Sequence, residues 1–384
     1  LGLRYDLYRP TVDKYNHLAW VEMNLPNPAL GGFPRTMVFA TPDRRTGVDQ
    51  FNKGFAPRFG LAYNVNDKTV LRASYGLFWA AGGYVRAIRG QYIQGYNSNN
   101  NLGSPDGGMT PAFIFQDGWP AYKFPAPPFI DPTTGFNSGV HILDRDDGHP
   151  PYLQNYTLNL QRQLPGQILL DIAYVGNKGT RLQSRLIPTN QMDPRYLSLG
   201  DLLFKSIADP VVQALPVVQK FPVDPATGNH VPFVGFQSLN RTTLGQALRP
   251  TPQYGEENNS QNPRFFEGTG VSNYHALQMK LEKRFSSGLS FLVAYTFSKT
   301  LTNAESQFSE FSGFTEDPYN RKAEKSISIN DYPHNLVINF SYELPFGPGQ
   351  RLATAGGVTG KIVGGWKIAG IQQYQSGGPS IINT

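Results

Sequence analysis

Residues 283–300 read KRFSSGLSFLVAYTFSKT. Leu289, Phe291, Val293, Tyr295 and Phe297 share one parity, while Ser290, Ala294, Thr296 and Ser298 hold the other. Period-two alternation marks a strand whose two faces meet different surroundings, and the aromatic and β-branched content reinforces that reading. The preceding stretch YHALQMKLEKRF sets Leu277, Met279 and Leu281 against Gln278, Lys280 and Glu282. SSG between the two runs is a short turn with a glycine to relieve its backbone, so a hairpin is predicted. The same design recurs in RFGLAYNV and TVLRASYGLFW around NDK, in NYTLNLQRQ and QILLDIAYVGN around LPG, and in HNLVINFSYELPFG with GGWKIAGIQQYQSG. Weaker strands near GLRYD, TMVFA and YVRAIRGQYI bring the total to roughly ten.

An apolar face of this kind packs either on a second sheet, as in a soluble sandwich, or on lipid, as in an outer-membrane barrel. Several runs reach ten residues or more, beyond the about five or six usual in globular strands and close to the roughly nine to eleven of a tilted membrane strand. Three hairpins turn within a few residues. Long stretches rich in Gly, Pro and Asn cover approximately 80–152, 177–272 and 300–333. Such loops are uncommon inside compact domains, whereas short turns at one end and long loops at the other are the normal asymmetry of outer-membrane barrels. Trp79, Tyr174, Tyr342 and Trp366 lie near strand ends, where aromatic girdles form, although ordinary rim aromatics would occupy the same positions. The predicted fold is all-β: part of a large antiparallel transmembrane β-barrel of the outer-membrane type, with outer-membrane lipid as its first partner.

Composition narrows the classes further. Only 16% of the 384 residues are charged, against 40 Gly, 31 Pro, 20 Tyr and 25 Phe. Soluble domains carry about 25% charged residues, so part of this surface is expected to avoid water. The mean hydropathy of -0.37 and the lack of roughly 18 consecutive apolar residues exclude a bundle of spanning helices. There is no cysteine, which removes disulfide frameworks, thiolate metal sites and cysteine nucleophiles together. The net charge of +6 is scattered along the chain rather than gathered into a patch, and no nucleic-acid partner is expected. The chain opens LGLRYD and closes SIINT after a strand-like stretch. With no initiator Met and no leader pattern, it reads as a piece of a longer protein.

Candidate chemistry is sparse. HILDRDDGH gathers His141, Asp144, Asp146, Asp147 and His149, but it lacks the alternate ligands and distal Glu of a calcium loop and reads as a solvated acidic loop. AGGVTGKIVGG fails as a phosphate loop, because Ala355 stands at the first Gly position and Ile362 at the Ser or Thr position. No nucleophile elbow or zinc helix motif appears, and His275 reads as a hydrogen-bonded wall residue. No catalytic residue, cofactor or metal ligand is expected, and the protein is read as no enzyme. Ligand contact is expected in the long loops, since strands fixed by closure leave recognition to their connections. GQYIQGYNSNNNLGSPDGG offers Tyr92 and Tyr96 with amides, and QDGWPAYKFPAPPF offers Trp119 and Tyr122. Rings beside amides suit a partly apolar, partly polar ligand such as an oligosaccharide or peptide, while plain surface loops have the same composition.

The blocks NKGFAPRFGLAYNVNDKTVLRASYGLFW, PYLQNYTLNLQRQLPGQILLDIAYVGNKGTRL, NYHALQMKLEKRFSSGLSFLVAYTFSKTL, DYPHNLVINFSYELPFG and GGWKIAGIQQYQSG resemble, in order, the barrel region of Oar-like TonB-dependent outer-membrane receptors. The resemblance implies a signal peptide, a carboxypeptidase-regulatory-like domain and a plug upstream, further strands downstream, and a barrel of about 22 strands. It also implies nutrient import energised by the TonB complex, engaged through the N-terminal parts. Three function classes stay open: such a receptor, a passive porin or structural surface barrel, and a soluble all-β binding protein.

Overall fold

The computed structural model describes residues 1–80, 95–96, 102–104, 106–119, 130–140, 145–182, 187–255, 263–264, 268–304, 317–352 and 357–380. Its first strands are β1 (Gly2–Tyr8), β2 (Ala19–Pro26), β3 (Pro34–Phe39), β4 (Phe51–Asn66) and β5 (Thr69–Trp79). The middle of the chain gives β6 (Tyr152–Leu164), β7 (Ile168–Leu182), β8 (Ile187–Pro188) and β9 (Pro263–Arg264). The remainder gives β10 (Gly270–Ser286), β11 (Leu289–Thr302), β12 (Ser326–Ile327), β13 (His334–Glu343) and β14 (Lys367–Gln375). Nine of these form one antiparallel meander in the order β1-β4-β5-β6-β7-β10-β11-β13-β14, with β12 added to β11.

Register explains why the alternation must hold across the whole sheet. Residues directly opposed on neighbouring strands share a face. One rung runs Tyr63, Leu71, Leu160, Ile172, Met279, Tyr295, Leu336, Tyr374, and every member is apolar or aromatic. On the opposite parity a rung runs Arg72, Asn159, Ala173, Gln278, Thr296, Asn335. A slip of one residue in any strand would mix the two faces. The apolar face carries no second layer among the described residues: Leu61 is 50%, Leu158 52% and Phe297 48% exposed. A sandwich would have covered them, so the sheet-on-sheet alternative fails on geometry.

The connections segregate by end. Residues 67–68, 165–167 and 287–288 close three hairpins, and 344–366 close the fourth at the same end. At the two-residue turn between β10 and β11, Ser287 and Gly288 both have positive φ, 54° and 80°, the backbone that matches the right-handed twist of the flanking strands. At the other end lie 9–50, 80–151, 183–269 and 303–333. The strands run farther into these loops than expected from sequence, β7 to Leu182 and β10 from Gly270, and 9–50 is a long loop that the strand reading overlooked. It overlooked this loop because TMVFA was counted as a barrel strand. The stretch is β3, which pairs with β2 in a separate two-stranded sheet. YVRAIRGQYI lies outside the described residues.

At the sheet edge β1 lies so close to β4 that a Cβ on Gly54 would run into the carbonyl of Asp6. Gly54→Ala is therefore expected to push β1 off its neighbour. In the protein reconstituted in lipid, trypsin should then cut after Arg4 several-fold faster than in the parent, and unchanged cutting would show that the contact relaxes without loss of pairing.

Candidate functional site

Two regions can meet a ligand, the polar wall of the sheet and the loop end above it. On the wall, Gly60, Arg72, Thr157, Asn159, Asp171 and Gln278 line a shallow hollow, which places the concave side on the polar parity. Arg72 donates to the Gln161 side chain (2.7 Å), Asn159 donates to Asp171, and Lys280 reaches Glu282 (3.3 Å). These bonds tie charged and amide groups to one another across the wall, and Asn159 Oδ1 is left without a protein partner.

The outward parity carries aromatic belts at both ends. Toward the loops, Trp79 packs on Phe51 (4.8 Å) and Tyr152 (5.0 Å) and donates its indole N–H to the Phe55 carbonyl (2.9 Å). Farther inward the Tyr174 hydroxyl meets His275 Nδ1 and the Tyr295 hydroxyl meets His334 Nδ1, both at 2.7 Å. His275 is thus the hydrogen-bonded wall residue expected. Toward the turns stand Tyr342 and Trp366, the latter donating to Ile362 O (2.7 Å). Rings with a polar tip settle where hydrocarbon gives way to headgroups.

The described residues of the loop end form packed clusters. Ile207, Val212, Val218, Val231, Phe236 and Leu244, all from 183–269, are fully buried in one apolar cluster that also takes Leu30 from 9–50. A second cluster joins Ala19, Val21 and Met37 to Val140 and Tyr254, so three loops share it. Polar side chains lock this cap. Gln253 donates to the carbonyls of Pro34 (3.2 Å) and Arg35 (3.0 Å). Asn190 donates to Thr251 O (3.0 Å) and Tyr254 O (3.2 Å) and accepts from the Thr251 amide (2.7 Å). Burial pushes the Tyr254 phenol far up. Arg35 sits at φ 79°, a left-handed conformation that costs about 1 to 2 kcal/mol outside glycine, held there by the bonds to its carbonyl.

Asp224 ties the turn at 221–236 by accepting from the amides of Gly235 (3.0 Å) and Ala226 (2.9 Å). Those amides, Gly235 first, hold its carboxyl below the usual range. A depressed carboxylate contributes stability that is complete above the unfolded value of about 3.9 and is lost as pH falls through the lower folded value. Pepsin cleavage within 221–236, normalised to an unstructured peptide, is therefore expected to rise as pH drops from about 4 toward 2. Asp224→Asn should flatten that rise, and an identical profile in the variant would remove Asp224 from the cause.

Of the loop residues singled out from sequence, Tyr92 and Tyr122 lie outside the described residues. Tyr96 stacks on His17 (4.6 Å, 23°) and meets Phe39 edge-on (6.1 Å, 79°), so its ring is engaged with the 9–50 loop. Trp119 is 73% exposed and stacks on Phe113 (4.7 Å, 22°). Among the described ring contacts none joins Tyr96 to Trp119. In the acidic stretch, Asp146 accepts from Arg181 (2.8 Å) and meets His149 Nδ1 (2.8 Å), while Arg145 pairs with Asp49 (3.1 Å). These pairs tie the stretch to β7 and to the 9–50 loop while Arg145, Asp49 and Asp146 stay more than half exposed, in keeping with the solvated acidic loop expected from sequence. His141 and Asp144 lie outside the described residues. Sequence reading missed the cap core. Its signal was present in the apolar spacing of PVVQALPVV and VPFVGF, which carries no strand alternation.

No curated protein matches this sequence. Among solved structures the chain is similar to the alcaligin outer membrane receptor FauA from Bordetella pertussis, at 14% identity and a TM-score of 0.32, covering 89% of this chain and 32% of that one. It is also similar to the pyoverdine outer membrane receptor FpvA from Pseudomonas aeruginosa PAO1 bound to pyoverdine, at 12% identity and a TM-score of 0.30, covering 81% of this chain and 25% of that one. The chain therefore spans about a third or less of the length of these structures. The profile of the outer membrane beta barrel domain matches residues 1–384. With the apolar face, the polar concave wall and the aromatic belts in place, this chain belongs to the outer membrane beta barrel family and resides in the outer membrane.

Proposed function

We propose that this barrel is the membrane part of an Oar-like receptor that captures a nutrient at its loop end and imports it with energy delivered by TonB, without enzymatic chemistry of its own. The observation that carries this reading is the cap. Loops of a general pore need only restrict passage, whereas here three connections are packed into clusters of buried side chains. A packed scaffold presents fixed contacts for recognition. The run of blocks resembling the receptor barrel, in the same order, adds the TonB-linked class. The nutrient is read as an oligosaccharide or peptide, contacted by loop residues that include Trp119.

The test is uptake in the source cell. Deleting the gene, and separately deleting tonB, should abolish growth on the same scarce nutrient at low concentration while leaving growth at high concentration intact. Growth that survives loss of tonB would favour a passive pore. Within the full-length receptor, removal of residues 97–130 is expected to abolish ligand binding while heat-modifiable migration persists. Unchanged affinity would move recognition to another loop or another part of the protein.

A further inference from the structure

We propose that the connection 344–366 is a membrane anchor, whose short helix Gly357–Val363 lies along the leaflet at the turn end and sinks Val358 and Ile362 among phospholipid acyl chains. The three other turns at this end read DK, PGQ and SG, brief and free of large apolar residues. The fourth exposes Val358 (76%), Ile362 (65%) and Trp366 (61%). A helix of 7 residues has little stability of its own in water, so its order comes from what it touches. Gly360 is buried, and a Cβ on Gly347 would come within 2.5 Å of Gly364 Cα. The connection therefore folds back on itself with backbone against backbone, an approach that only glycine allows. Trp366 donates its indole N–H to Ile362 O (2.7 Å) and closes the helix end. At about 100° per residue, Val358 and Ile362 stand one turn apart on the side away from Gly360 and Gly364. Packing holds one side of the helix, and the other side is apolar and uncovered.

Two observations choose the occupant. The first is continuity with the lipid face. Tyr342 opposes Ile368 on the outward parity, and the Leu344 amide donates to Trp366 O (2.8 Å), which carries that parity on to Trp366. The helix is thus hung from the ring of the outward belt nearest the turns. The second is charge. Residues 344–366 include Arg351 and Lys361 and no acidic residue, a balance that suits phosphate headgroups. Apolar side chains beside a cationic flank are the make-up of a helix lying in the interface, with its apolar face sunk about 5 to 10 Å. Short turns of outer-membrane barrels face the periplasm, so the leaflet is the inner one. An anchor of this kind fixes the depth of the turn end whatever the barrel carries.

The test uses the full-length protein in phospholipid nanodiscs, with a fluorophore coupled at Ile362→Cys or, as control, at Thr359→Cys on the helix flank, each in an otherwise cysteine-free background. Nitroxide carried high on the phospholipid acyl chain is expected to quench the Ile362→Cys label about threefold or more above the Thr359→Cys label. Iodide in the buffer should do the reverse. Adding Val358→Asp should cut lipid quenching of the Ile362→Cys label by about half or more. Val358, Thr359 and Ile362 are all exposed, so the variants are expected to keep heat-modifiable migration. Equal lipid quenching at the two positions, or no change on adding Val358→Asp, would overturn the anchor. So would an Ile362→Cys label open to iodide, and so would one shielded from both quenchers, as a bound protein or a second copy of the chain would leave it.

Discussion

Arginine at Ile172 or Met279 is expected to cost about 2 to 4 kcal/mol of folding stability in lipid vesicles, and arginine at Thr296 much less. Ile172 and Met279 oppose each other in the rung that runs from Tyr63 to Tyr374, between Leu170 and Leu281 on the turn side and Tyr174 and Leu277 on the loop side. Toward the turns the outward face already holds cations, since Arg162 opposes Leu170 and Lys283 opposes Phe291. Those side chains can reach headgroups along their own stems. Phe291→Arg should therefore fall between, at about 0 to 1 kcal/mol, because the penalty declines toward the interfaces. Thr296 stands on the polar parity beside Gln278 and Asn335. The expected order is a steep penalty at the middle rung, a shallow one near the turns and a small one on the wall. Equal penalties at Met279 and Thr296 would refute the assignment of the two faces.

Phe236→Ala should unfold the cap and spare the barrel. The ring is fully buried, packs edge-on against Phe233 (5.5 Å, 87°) and sits in the cluster of 183–269. Truncating a buried Phe costs about 3 to 5 kcal/mol, a large share of what a unit of this size can hold. No member of that cluster belongs to the nine-strand sheet. Amide exchange across 205–247 is expected to accelerate by two or more orders of magnitude while β6, β7, β10 and β11 keep their protection. Loss of protection in those strands as well would mean that cap and barrel fold as one cooperative unit.

The strands were legible because lipid imposes a strict period on them. In β10 and β11 each outward position is fixed by the neighbouring strand, so the pattern in KRFSSGLSFLVAYTFSKT is the pattern of the structure. The short turns were legible for the same reason, through glycine at Gly288. The cap was not, because its order comes from contacts between distant segments. Leu30 packs with Ile207 and Val212, and Gln253 bonds to Arg35, and no local periodicity records such partners. TMVFA shows the limit from the other side. Its alternation is real, but its partner is the short AWVEMNLP of β2, and sequence alone does not say which strand a strand will find. The candidate site was legible only as composition: Trp119 and Tyr96 were expected in loops, while the stacking of Tyr96 on His17 and of Trp119 on Phe113 comes from the fold.

The cap also bears on the order of assembly. Its second cluster draws on 9–50, 80–151 and 183–269 together, so it cannot close until β4 to β7 have carried all three to the same side of the bilayer. Contacts of such long sequence separation form late. A barrel with either the β4–β5 or the β6–β7 hairpin left uninserted would leave the shared cluster open to protease, and the finished cap is in that sense a record that β4 to β7 have crossed.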